Sequence, residues 1–157
     1  MIEIRPPASW GHRPMNETQV FLAGTIDMGN SMDWQRWVVN QLKETNLCIF
    51  NPRREAWDSS WEQSIDNPQF NEQVNWELDA LEYADYAVFY FAPGSQSPIT
   101  LMELGLMVGI IPQKCLVCCP QGFWRKGNVD ILCKRFGIKM YRTLDEVVEG
   151  LLWKRGA

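Results

Sequence analysis

TQVFLAGTI, residues 18–26, decides the fold. β-Branched and apolar residues run up to Gly24, which closes the stretch, and SMDWQRWVVNQLKET (31–45) follows with Trp34, Trp37, Val38 and Leu42 at helical spacing. That is strand, turn, helix. LCIFNP (47–52) reads as a second strand stopped by Pro52, and RREAWDSSWEQSIDNP (53–68) reads as a long loop rich in tryptophan and polar groups. Loops of that length usually carry function. Phe70, Val74, Leu78 and Leu81 in FNEQVNWELDALEYA (70–84) predict an amphipathic helix with this stripe toward the sheet, and DYAVFYFA (85–92) a third strand. After the turn GSQS (94–97), PITLMELGLMVG (98–109) opens a helix with Pro98 at its first position and Ser97 as candidate N-cap. KCLVCCP (114–120) is a fourth strand, QGFWRKG (121–127) a loop, and NVDILCKRFG, IKMYRT and LDEVVEGLLWKR (128–155) finish as helix, strand and helix.

Five strands alternating with five helices predict an α/β, three-layer Rossmann- or flavodoxin-like sandwich, because right-handed crossovers put helices on both faces of a parallel sheet. The expectation is one domain over residues 1–157 with a five-stranded parallel sheet in flavodoxin-like order, residues 1–16 forming a loose arm. Such sheets bind ligands beyond the carboxyl ends of their strands, which puts GTID, NPRR, APGSQS and CPQGFWRKGN on one rim.

Composition removes several classes of function. With 15 basic and 19 acidic residues the net charge is −4, which gives no field to hold a nucleic acid polymer. No apolar run is long enough for a membrane span, and MIEIRPPASWGHRP lacks a signal-peptide core, so the expected setting is cytoplasmic. The five cysteines read as reduced and buried. Cys115 and Cys118 make one CxxC without a second pair, and His12 is the single histidine, so no zinc site is expected. The same shortage of histidine excludes Ser-His-Asp and Cys-His nucleophiles and leaves acid–base work to carboxylates.

Two carboxylates depart from the pattern. Glu103 is the only ionisable group in PITLMELGLMVGII (98–111), where an unpartnered charge is costly, so it is either kept for function or sits on a wet edge of the helix. Glu77 lies on or beside the apolar stripe of its own helix, whereas Glu72, Asp79 and Glu82 fall around the solvated side.

FLAGTID (21–27), WELDALEYAD (76–85), SPITLMELG (97–105) and RKGNVDI (125–131), in that order on those elements, resemble the nucleoside 2-deoxyribosyltransferase superfamily over residues 18 to 136. The resemblance implies that Glu103, in MELG, is the nucleophile and that Glu77 contacts substrate where the family pattern has aspartate. It implies that Asn128 reaches a neighbouring subunit's site and binds the sugar 5'-hydroxyl, and hence a homo-oligomer with shared active sites. By itself Asn128 reads as a helix N-cap. Six residues before Glu103 the family pattern has another aspartate for the 5'-hydroxyl, and this chain has Ser97. A hydroxyl does not repel a phosphate, so Ser97 with Arg125 keeps a 5'-monophosphate open; Ser97 also fits as an N-cap alone.

Gly24 and Asp27 follow the first strand on the rim, Gly24 for close approach and Asp27 to bond the base or protonate it as it leaves, unless Asp27 is simply solvated. Arg53 and Arg54 read as loop-anchoring charges. Trp57, Trp61 and Trp124 either stack on a base or pin their loops to the core. Met102 and Met107 read first as core and second as pocket lining.

The expected reaction is transfer of a 2-deoxyribosyl group between a 2'-deoxynucleoside and a free nucleobase, by two inversions through a glutamyl ester and with no cofactor. Asp27 is preferred over Glu77 as the acid that protonates the base. Hydrolysis of 2'-deoxynucleoside 5'-monophosphates is the alternative enzyme, a non-catalytic nucleotide-sensing module the alternative of another class, and an electron carrier using APGSQS as a phosphate loop a weaker third.

Overall fold

Alternation along each strand sorts the core into two layers. Phe21 and Ala23 of β2 (Gln19–Gly24), Ala87 and Phe89 of β4 (Tyr86–Tyr90) and Cys115 and Val117 of β5 (Cys115–Cys118) point to one face; Val20, Leu22, Val88, Leu116 and Cys118 point to the other. The first face is covered by α2 (Pro68–Tyr83), α3 (Pro98–Ile110) and α4 (Lys126–Arg135), the second by α1 (Trp34–Leu42) and α5 (Leu144–Gly156). With β1 (Ile2–Ile4), β3 (Cys48–Phe50) and β6 (Met140–Tyr141), the computed structural model has a six-stranded sheet, all pairs parallel, in the order β1-β3-β2-β4-β5-β6. It describes residues 1–11, 16–26, 32–55 and 58–156.

The sheet carries the flavodoxin-like order with one strand added. β1 comes from the segment read as a loose arm. It pairs with the outer edge of β3, Ile2 opposite Cys48 and Ile4 opposite Phe50, and so covers backbone groups that the edge would leave unpaired. The chain beyond it is held as well: Trp10 packs edge-on against Phe50 and Tyr83, and the Trp76 indole N–H donates to Ala8 O at 3.0 Å. A three-residue strand followed by prolines has too little periodicity to be read from sequence.

Helix starts follow local chemistry. Asp33 caps α1 by accepting from Arg36 N at 3.0 Å, and Asn67 caps α2 by accepting from Phe70 N at 3.0 Å, with Pro68 in the first turn. Trp34, Val38 and Leu42 of α1 are buried as their spacing predicts. In α2 the buried side is Gln73, Trp76, Ala80 and Leu81, while Phe70, Val74 and Leu78 are only half-buried. The expected stripe is therefore a flank, and the large Trp76 ring, seated edge-on against Phe50, sets the helix's rotation.

Cys115 and Cys118 face opposite sides of the sheet and cannot share a metal ion. All five cysteines are free and buried. Burial pushes Cys115 and Cys119 up to about 11 and Cys118 and Cys133 up to about 12, so thiolate chemistry is suppressed. Among the described residues no helix is long and apolar enough to cross a membrane.

Candidate active site

The strand order reverses between β2 and β4, whose carboxyl ends meet with Gly24 opposite Tyr90. Gly24 is required there by contact: a Cβ would lie 2.4 Å from Trp34 Cζ2 and 2.7 Å from Tyr90 O. The next residue, Thr25, is anchored from both sides, its N–H donating to Tyr90 O and its carbonyl accepting from Trp34 Nε1 at 3.0 Å.

Thr25 carries the first part of the site. Its Oγ1 accepts from Ala92 N at 3.1 Å and lies 3.0 Å from Ser95 Oγ and 2.6 Å from Ser97 Oγ, and the two serine oxygens are 2.9 Å apart. Ser95 donates its proton to Ala92 O at 2.8 Å. Thr25 and Ser97 then hold two protons for the three contacts of the trio, and the half-buried Ser97 hydroxyl gives its own either to Ser95 or outward. Ser97 precedes α3 but does not cap it with its side chain; its φ of 44° turns the hydroxyl away from the helix amides and into this trio.

Glu103, in the second turn of α3, is 6% exposed and so sits on no wet edge. Among the described residues no group hydrogen-bonds its carboxylate. Burial first, and the charge of Glu77 second, raise it to about 8. Glu77, from α2, is half-buried and raised to about 7 by burial, against a hydrogen bond from Gln73 Nε2 to its Oε1 at 2.7 Å that favours the charged form. The two acids are thus brought within electrostatic reach on the face shared by α2 and α3. Both acids are therefore protonated more readily than a solvated glutamate, chiefly because burial disfavours the charged form.

The loop after β5 joins the same rim. Gly94 N donates to Gly122 O at 3.0 Å and Trp124 Nε1 to Gln96 O at 3.0 Å, which sets Trp124, 55% exposed, beside the Ser95–Ser97 turn. The Arg125 guanidinium stacks on that indole at 4.1 Å. Asn128 is exposed in the first turn of α4; the N-cap position is Arg125, so Asn128 is not the cap. Arg53 pairs with Asp33 at 3.2 Å, and Arg54 pairs with Glu72 at 3.1 Å and lies over Trp61 at 5.0 Å, which anchors the loop after β3 as expected. Met107 is core, whereas Met102 is 58% exposed and packs in none. Asp27 and Trp57, both expected to meet substrate, and His12 lie outside the described residues.

Gln73, Thr25 and Ser95 escaped the sequence reading. A glutamine directly after Glu72 on a helix looks solvated, and only the rotation imposed by Trp76 buries it. Thr25 had a usable signal, a hydroxyl directly after the glycine that ends a central strand.

A parallel sheet with a hydroxyl cluster at its switch point, and with one buried and one half-buried acid on the helices of one face, defines an α/β protein of the kind that binds ligands beyond the carboxyl ends of its strands. The model of the family described as nucleoside 2-deoxyribosyltransferase-like matches residues 17–123, and the chain belongs to that family. Membership ties it to nucleosides and to chemistry of a transferase or glycosidase kind. The match takes in Gly24, Glu77, Ser97 and Glu103 and ends before Trp124, Arg125 and Asn128. No curated protein matches the chain.

Proposed function

We propose that the protein transfers the 2-deoxyribosyl group between nucleobases through a covalent ester on Glu103. The observation that carries this reading is the buried Glu103, with the half-buried Glu77 near enough for its charge to raise the Glu103 carboxyl. Glu103 attacks C1' in its ionised form, the proton it holds at neutral pH having passed to Glu77 or to water, while the C1'–N bond breaks; the bonding electrons leave with the base, which takes a proton from Asp27, Glu77 or a water they hold. The acceptor base then opens the ester from the other side, giving net retention. A positive charge growing at C1' is favoured beside two acids in a dry pocket, and a 2'-deoxy sugar has no electron-withdrawing hydroxyl to oppose it.

A Ser97 hydroxyl that turns its proton outward suits O5' of the sugar, and Trp124 offers a face beside it. The exposed α3 residues Ile99, Met102, Leu106 and Ile110 form one stripe, and a helix apolar on every side is expected to be covered. A second copy of the chain covering it supports a homo-oligomer, with Asn128 presented to the neighbour's site.

The test is incubation with each 2'-deoxynucleoside and its 5'-monophosphate, with and without free base, and separation of products. Base exchange and a deoxyribosyl adduct on the Glu103 peptide are expected; an adduct on another acid displaces Glu103. The hydroxyl trio and Arg125 favour a second reading, hydrolysis of 5'-monophosphates, and Ser97→Asp separates the two. Aspartate tolerates the left-handed backbone at this position. For a nucleoside substrate kcat/KM is expected to hold or rise; for a monophosphate, repulsion costs about ten- to a hundredfold.

A further inference from the structure

Gln73 is 3% exposed, and Nε2 of its side chain donates twice, to Pro52 O at 3.0 Å and to Glu77 Oε1 at 2.7 Å. The first bond fixes which way the amide faces. A backbone carbonyl can only accept, so turning the amide over would set two oxygens against each other at Pro52 and again at Glu77. Its own Oε1 meets no donor among the described residues, a cost that an apolar side chain of the same size would not carry. The bond to Glu77 is the only hydrogen bond that carboxylate receives among the described residues, and the groups bearing on its charge are Gln73 on α2 and Glu103 on α3.

We propose that Gln73 is a positioning residue of the active site, holding the Glu77 carboxylate in place against substrate by bracing it on the Pro52 carbonyl at the end of β3. This rests on the deoxyribosyl-transfer reading. Pro52 begins the loop that carries Arg53, Arg54 and Trp61, so the orientation of Glu77 is tied to the seating of that loop. A carboxylate bound by one charge-assisted hydrogen bond at 2.7 Å has one rotamer selected; without the donor it turns among several, and the time spent in the reactive one falls.

The experiment is a double-mutant cycle of Gln73→Met, Glu77→Gln and the pair, with kcat, KM and Tm measured on the intact chain. Gln73→Met keeps volume and removes the donor; kcat is expected to fall about 10- to 100-fold with KM changed by less than about threefold. In the Glu77→Gln background the same change is expected to cost little more, since the residue acts through Glu77. Additive losses, or a kcat near that of the unaltered protein in Gln73→Met, overturn the proposal and leave the transfer reading standing. A protein that transfers nothing from any donor overturns the transfer reading, and this one with it. If Gln73→Met fails to fold, Gln73→Leu decides: it too removes the donor without adding a titratable group, and an unimpaired kcat there overturns the proposal.

Discussion

Glu103 is kept at a cost in stability that depends on pH. Its folded-state value, raised to about 8, lies above its ordinary value of 4.5, so the folded protein holds the proton more tightly than the unfolded chain. The stabilisation this gives is fully present below pH 4.5 and is lost as pH rises through 8. Glu103→Gln has no such proton to lose. The variant is expected to be catalytically dead, and urea unfolding at pH 5 and at pH 9 should show it gaining on the unaltered protein by on the order of 2 kcal/mol at the higher pH. An equal stability difference at both pH values would mean that Glu103 titrates as an ordinary surface acid. Gly24 matters at the same scale for shape alone. With Trp34 Cζ2 and Tyr90 O inside 3.0 Å of a would-be Cβ, Gly24→Ala must push apart either a buried ring or two central strands. A loss of about 2 kcal/mol or more is expected by thermal unfolding, and an unchanged Tm would contradict the close approach.

Among elements, α3 does two jobs with one apolar sequence. Leu104, Met107 and Val108 bury it against the sheet, while Ile99, Met102, Leu106 and Ile110 lie on the outer side, 37–58% exposed. Glu103 sits between the two sides in sequence register, so whatever covers the outer stripe also closes water away from the proposed nucleophile. Leu106→Lys puts a charge on that stripe without touching the core. It is expected to weaken self-association about a hundredfold or more, read by sedimentation over a concentration series. A protein that sediments as a monomer before the substitution would remove this role from α3.

At the scale of the molecule, the reversal of strand order makes the site. β2 and β4 are paired over five registers, and beyond their carboxyl ends Thr25, Ala92 and the Ser95–Ser97 turn are tied together by hydrogen bonds. The two acids come from α2 and α3, helices packed on one face of the sheet. The edge strand β1 lengthens the sheet at the far side of β3 and pins the arm over α2, so the segment preceding the family match builds a wall of the same layer.

Much of this was legible in the chain because the signals are local. Alternation in TQVFLAG and DYAVFYFA, helical spacing in DWQRWVVNQL and the isolation of one acid in PITLMELGLMVG reflect the period of the backbone and the cost of a buried charge, and neither needs a partner to be recognised. The handedness of the crossovers gave a parallel sheet covered on both faces; the flavodoxin-like order was expected without a local signal for it, and β2 to β6 adopt it. Tertiary contacts decided the rest. Ile2–Ile4 became a strand only because β3 offered an unpaired edge, and α2 turned Gln73 inward because Trp76, not Val74, found the deeper cavity beside Phe50. The Ser97 hydroxyl left its helix because Thr25 and Ser95, distant in sequence or on the wrong side of a turn, surround it with better partners. Periodicity records which residues share a face; which face is buried, and what a polar group meets there, is set by the packing of surfaces that are far apart in sequence.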